Sequence, residues 1–238
     1  MLCKPYASTI RLRAYPVQVL HLFKWQYNGM VLKLLIVIAI VFILLLIAEY
    51  LWKIRRYRTE FTRKFVHITV GTFVAFWPWF LSWTQIGILA GAFLAVIIIS
   101  RTLTVFGSIH LIGRKTAGEI FFALCIGLTA LVTQNRYIFM AAILHLSIAD
   151  GFAAIVGTKY GKRFSYRILG QPKSLAGSAT FWLSSVAIVL SYALITHTAT
   201  LPVIIYLPLL ATIIENIGIR GSDNLLVPVV VALVLRLS

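Results

Sequence analysis

Two clusters in this chain of 238 residues, one acidic and one basic, have spacings that suit metal and phosphate chemistry. The stretch "ENIGIRGSDNLLVP", residues 215–228, sets Glu215 and Asp223 eight positions apart, with Gly218 and Gly221 between them to let the chain fold back. Two carboxylates and Asn224 brought together in this way offer the hard oxygen ligands that Mg²⁺ accepts while bridging to phosphates. A plain hairpin loop capped by Asp223 is the alternative reading. The stretch "TRKFVHITVG", residues 62–71, puts Arg63, Lys64 and His67 on one helical face, at i,i+3 and i,i+4 spacings. Such a face suits a phosphate, gripped by the guanidinium fork of Arg63 and the point charge of Lys64. An ordinary basic flank also accounts for these two cations, and less well for a histidine one turn inside an apolar segment.

Two further stretches extend the pattern. In "SIADGFAAIVGTKYGK", residues 147–162, Ser147 and Asp150 share a helical face, whereas His145 lies about 140° away, so no Ser-His-Asp hydrolase arrangement is suggested there. Gly151, Gly157 and Gly161 permit close backbone approach, and with Lys159 and Lys162 they predict a phosphate-facing turn after Asp150. In "QPKSLAGSATFW", residues 171–182, Lys173, Ser174, Gly177 and Ser178 come just before an apolar run, where a helix N-terminus receives anions. No GxxxxGK[ST] loop is present. Glu119, in "RKTAGEIFF", begins another apolar run, where the helix dipole favours an acid with or without a functional role.

The elements that must position these residues are apolar helices. Of the residues, 61% are hydrophobic and only 12% charged, and the mean hydropathy is +0.95, far outside the soluble range. The predicted fold is all-α, a polytopic membrane bundle of seven or eight transmembrane helices. Candidate spans fall at about 31–52, 66–82, 85–100, 119–134, 137–157, 178–196, 201–215 and 224–237. The transmembrane domain then covers residues 31–238. Residues 1–30 form a basic segment, either lying along the interface or standing upstream of a start at Met30. Cys3 and Cys125 are too far apart in sequence and setting to imply a disulfide framework.

The net charge of +16 is placed by these spans in short loops rather than on a nucleic-acid-binding face. Lys53, Arg55, Arg56 and Arg58, then Arg101, Arg114 and Lys115, then Lys159 to Lys173, and finally Arg220 fill alternate loops, while the loops between are nearly bare. By the positive-inside rule the basic loops are cytoplasmic. Glu49, Glu60, Glu119, Asp150, Glu215 and Asp223 then all lie at the cytoplasmic side, each at a span end or in a loop. A transporter would be expected to carry polar groups at mid-membrane in both halves, which this pattern lacks.

In order, RKxxH, GE at a span entrance, DGxA with GxxxGK, KSxxGS and a late E…DN…P resemble the CTP-dependent polyisoprenoid-alcohol kinases, the group of dolichol and phytol kinases. The resemblance covers about residues 62–230, and the short chain is more similar to the phytol kinase branch. It implies transfer of the γ-phosphoryl group of CTP to the hydroxyl of a membrane lipid alcohol. It aligns Asp150, Gly151, Lys173, Ser174 and Gly177 with nucleotide-binding stretches and Glu215, Asp223 and Asn224 with a late acidic motif. The expected roles are Asp150, Asp223 and Glu215 as Mg²⁺ ligands, Lys173 and Arg63 as phosphate cradle, and His67 or Glu215 beside the acceptor hydroxyl. The stretch "FSYRILGQPKS" departs from the basic, asparagine-containing lead of that family. A CTP-dependent phosphatidate cytidylyltransferase or diacylglycerol kinase is the alternative, the former lacking support because Asn, not Arg, follows Asp223.

Overall fold

The computed structural model describes residues 17–55, 60–103 and 117–238, with side chains described at 29–47, 50, 64–99 and 117–238. Residues 1–16, Arg56, Arg58, Arg114 and Lys115, and the side chains of Glu49, Glu60, Arg63 and Arg101, lie outside what is described. The chain divides into two units, Met1–Ala39 and Ile40–Ser238. In the first, the described residues belong to helix α1, Val17–Arg55.

The second unit continues with α2 (Glu60–Ala75), α3 (Trp83–Leu103), α4 (Gly118–Val132), α5 (Arg136–Leu144) and α6 (Asp150–Tyr160). It ends with α7 (Leu175–Thr196), α8 (Leu201–Ile217) and α9 (Asp223–Leu237). Helices occupy every segment predicted to be a span. Gly29–Ile47, Arg136–Phe164 and Leu175–Thr196 are long and apolar enough to cross a membrane, and Trp83–Ile99, Gly118–Val132 and Leu201–Ile217 are shorter apolar helices. The protein is a helical membrane protein. Its core is a continuous apolar contact of α5, α7, α8 and α9 through residues such as Ala142, Phe181, Val189, Leu207 and Val231, all fully buried or nearly so.

Three features differ from expectation, each for a local reason. The second span stops at Ala75 rather than 82, because Pro78 has no N–H and biases Trp77 away from α geometry; Trp77–Trp79 is a single 3₁₀ turn. The fifth span does not end in a glycine-lysine turn after Asp150. Its helix runs on to Tyr160, interrupted only by a π segment at His145–Ala149 just before the aspartate. Gly151 and Gly157 therefore serve helix packing. A Cβ on Gly151 would collide with Ile68, and one on Gly157 would meet the Gly177 Cα at 3.4 Å.

The third difference is a small sheet in a fold predicted as all-α. A 3₁₀ turn, Gly161–Phe164, leads into strand β1 (Ser165–Ile168), which pairs antiparallel with β2 (Gln171–Ser174). Leu169 and Gly170 make the turn with φ of 50° and 77°, the left-handed geometry of a tight two-residue hairpin. The strands are too short and irregular in hydrophobicity to be legible as strands. Ser174 ends β2 and caps α7, its Oγ accepting from the Gly177 N–H at 3.1 Å.

Candidate active site

The acid-cation site is assembled from α2, α6, β2, the end of α8 and the start of α9. On α2, Lys64 and His67 face the same way, as their spacing predicts, and both meet one atom of α6. Lys64 Nζ donates to Asp150 Oδ2 at 2.6 Å, and His67 Nε2 lies 3.2 Å from the same oxygen. His67 Nε2 is also 2.8 Å from the Leu146 carbonyl. A carbonyl only accepts, so Nε2 is the nitrogen that carries hydrogen at this contact. Phe122 of α4 packs against the imidazole, with ring centroids 5.2 Å apart. The π segment between α5 and α6 contributes the Leu146 carbonyl at this point.

On the other side, Lys173 of β2 donates both to Glu215 Oε1 at 2.6 Å and to the Glu215 carbonyl at 2.7 Å. The carbonyl lies in the last turn of α8, which ends at Ile217, so it takes only a long 3.3 Å bond from the Gly218 N–H and keeps a lone pair for Lys173. Glu215 is buried, and its second oxygen, Oε2, has no hydrogen-bond partner among the described residues. A buried carboxylate oxygen in that condition is costly unless something else satisfies it.

Asp223 completes the cluster. Carboxylate oxygens of Asp150, Glu215 and Asp223 lie within 4.8 Å of one another. Among the described residues Asp150 and Glu215 each have a lysine partner, so the three acids outnumber the lysines paired with them. Hard oxygen donors at this spacing, with one oxygen orphaned, suit a divalent cation such as Mg²⁺. The convergence depends on the loop after α8. Gly221, at φ 92°, passes so close to α4 that a Cβ would stand 2.7 Å from the Gly118 Cα. The Arg220 carbonyl accepts from the Ala117 N–H at 3.1 Å, and Asn224 Nδ2 donates to the Gly118 carbonyl at 3.0 Å. A Cβ on Gly218 would meet the Asp223 Cβ at 2.6 Å, so glycine there lets the carboxylate turn in.

The other predicted residues divide. Gly161 and Gly177 belong to the site's frame: both approach Ser174, and a Cβ on Gly177 would stand 3.1 Å from the Ala153 carbonyl oxygen. Asn224 spends its amide on α4. Glu119 occupies the exposed first turn of α4, one residue beyond the contact made by Gly118. Lys159 is exposed and lies over the Tyr160 ring, 5.0 Å from its centroid, and Lys162 is exposed in the 3₁₀ turn. His145, excluded from a triad by its angle, is fully buried and bonds the Ala141 carbonyl and Ser185 Oγ, each at 2.8 Å.

Two residues of the site escaped sequence reading. Tyr166 of β1 reaches Ser178 Oγ and Asn216 Oδ1, each at 2.6 Å, and Ser178 also donates to Asn216 Oδ1 at 2.9 Å. The available signal was an asparagine directly after Glu215 in an otherwise apolar helix.

Relatives give this geometry a context. A phytol kinase of Synechocystis sp. is 33% identical over 222 residues, an alignment covering 88% of this chain and 94% of that one. A probable chloroplastic phytol kinase 1 of Glycine max is 29% identical over 124 residues, 47% of this chain and 40% of that one. No family model and no solved structure matches. With a relative aligned along nearly the whole of both chains, and with lysines and carboxylates gathered as phosphate chemistry requires, this chain belongs to the phytol kinase family, prenol-type kinases that act on an alcohol.

Proposed function

We propose that the protein transfers the γ-phosphoryl group of CTP to the primary hydroxyl of a phytol-type isoprenoid alcohol dissolved in the membrane. The single observation that carries this reading is the convergence of Asp150, Glu215 and Asp223 beside Lys64 and Lys173 where α8 ends and α9 begins in an apolar helical bundle. Phosphoryl transfer asks a protein for position and charge neutralisation rather than covalent help, and this cluster supplies both signs of charge. The relatives' names support phytol over dolichol or a longer polyprenol as acceptor. The motif resemblance supports CTP as donor, and the positive-inside pattern supports a cytoplasmic site.

Asp150, Asp223 and Glu215 would hold Mg²⁺, the unpartnered Glu215 Oε2 being the best-disposed ligand atom. When bound, the ion neutralises charge on the transferring phosphates. Lys64 and Lys173, paired with the acids, stand where they can turn to phosphate oxygens, and Arg63 is the further candidate on α2. The acceptor oxygen forms the new bond to phosphorus as the bond to the β-phosphate oxygen breaks, CDP departs, and the hydroxyl proton passes to a carboxylate of the cluster.

The decisive experiment incubates the purified chain in detergent with CTP labelled on the γ-phosphate and a panel of alcohols: phytol, geranylgeraniol, dolichol, undecaprenol and diacylglycerol. Label in phytyl phosphate, with CTP outperforming ATP, GTP and UTP, is the expected result. Unlabelled lipid with released pyrophosphate would instead indicate cytidylyl transfer, and label appearing only in diacylglycerol would move the acceptor outside the isoprenoids.

A further inference from the structure

Of the two partly buried pairs that face each other across the β-hairpin, Ile168 with Gln171 and Tyr166 with Lys173, the second is the one that carries polar groups to α8. Across an antiparallel pair such residues project side by side from one face. They reach consecutive residues of a single helical turn. Lys173 bonds the Glu215 carboxylate and carbonyl, and the Tyr166 hydroxyl bonds Asn216 Oδ1. Asn216 is itself held, its Nδ2 donating to the Thr212 carbonyl at 2.9 Å, while Ser178 on α7 closes a three-membered polar ring with Tyr166 and Asn216. The ring thus ties β1, α7 and α8 together one residue away from the carboxylate that Lys173 holds.

We propose that Tyr166 and Asn216 are positioning residues, fixing the hairpin so that Lys173 is delivered to Glu215 and to the phosphates of the nucleotide. This rests on the kinase reading above. A lysine on a flexible four-carbon stem gains little orientation from its own chain, so its aim must come from the backbone that carries it. That backbone is a two-stranded hairpin, an element of marginal stability alone, joined to the rest of the site by few polar contacts. The Tyr166 hydroxyl is the contact closest to Lys173 in register. Its loss would leave Lys173 chemically intact but poorly aimed, which is a nucleotide effect and not a lipid effect.

The test compares Tyr166→Phe, which removes one hydroxyl and keeps the ring, with wild type, using the full chain in detergent with phytol and CTP. The expected result is a fall of about tenfold in kcat/KM for CTP, the size typical of lost outer-shell support, with KM for phytol essentially unchanged. Ser178→Ala, which leaves the Tyr166–Asn216 bond in place, falls less. In a Lys173→Ala background, adding Tyr166→Phe has no further effect on nucleotide affinity, read by binding of a fluorescent CTP analogue without turnover. A lower melting temperature with unchanged kinetic constants per folded molecule would overturn the proposal, as would full additivity with Lys173→Ala. Should Tyr166→Phe fail to fold, Ser178→Ala carries the comparison, and unchanged KM for CTP there counts against the idea. A wild-type protein inert toward every alcohol and nucleotide would overturn the kinase reading itself, an outcome distinct from an active wild type that tolerates Tyr166→Phe.

Discussion

Lys64 and Asp150, 86 positions apart in sequence, meet at 2.6 Å between α2 and α6, with only 12% and 14% of their side chains exposed. An ion pair so nearly buried is poor evidence of stability gained, but removing one partner strands the other. Lys64→Met alone is expected to destabilise the protein by about 3 kcal/mol, while Lys64→Met combined with Asp150→Asn recovers most of that loss. Thermal unfolding in detergent, followed by helical circular dichroism, measures both. An additive double variant would show that the pair is not coupled.

Glu215 should matter to a cation as well as to the fold, because losing its charge also leaves Lys173 without its carboxylate partner. Glu215→Gln keeps the shape and removes the charge, so Mn²⁺ binding, followed by electron paramagnetic resonance without nucleotide, is expected to weaken at least about tenfold, or 1.4 kcal/mol. Asp223→Asn should do the same. Equal Mn²⁺ affinity in wild type and both variants would remove these carboxylates from the ligand set.

Chelation provides a coarser check on the same cluster. EDTA is expected to abolish lipid phosphorylation, and Mg²⁺ or Mn²⁺ to restore it, because three acids and two lysines cannot by themselves neutralise a nucleoside triphosphate. Ca²⁺, which prefers more ligands at longer distances, should restore it poorly. Undiminished turnover in excess EDTA would contradict the proposed chemistry.

The packing of α6, α7 and the hairpin has its own test. A Cβ at Gly161 would run into Ser174, and one at Gly177 would crowd the Ala153 carbonyl at 3.1 Å. Gly161→Ala and Gly177→Ala are each expected to cost about 1–3 kcal/mol, with activity falling in parallel as the Ser174 cap and Lys173 are displaced. A melting temperature within error of wild type for both would refute the tight approach.

Leu169 is a leucine in a conformation that costs an ordinary residue about 1–2 kcal/mol, at φ 50° and 63% exposed. Leu169→Asn should relieve part of that cost and raise the melting temperature while leaving phosphorylation unaltered. A lower melting temperature would mean that the leucine side chain makes a contact worth more than the strain.

Much of the site could be found in the residues themselves. Lys64 and His67 fall on one face because a helix repeats every 3.6 residues, and both do meet one carboxylate. Glu215 and Asp223 converge across a glycine-containing loop, as their spacing and Gly218 and Gly221 predict. What misled was Gly151 and Gly157. A glycine beside an acid signals a turn or close packing equally well, and only the neighbour decides; here the neighbours are Ile68 and Gly177.

The sequence alone determined that this is an apolar helical bundle whose few acids are too costly to be scattered, because hydropathy and charge placement are local properties summed along the chain. It could not show that Lys173 pairs with Glu215, or that Tyr166, opposite Lys173 in the hairpin, holds the adjoining Asn216. Those pairings cross 42 and 50 positions of chain and follow from a short hairpin folded against the open end of α8. Contacts of that kind depend on where backbones end up relative to one another, and only tertiary packing decides that.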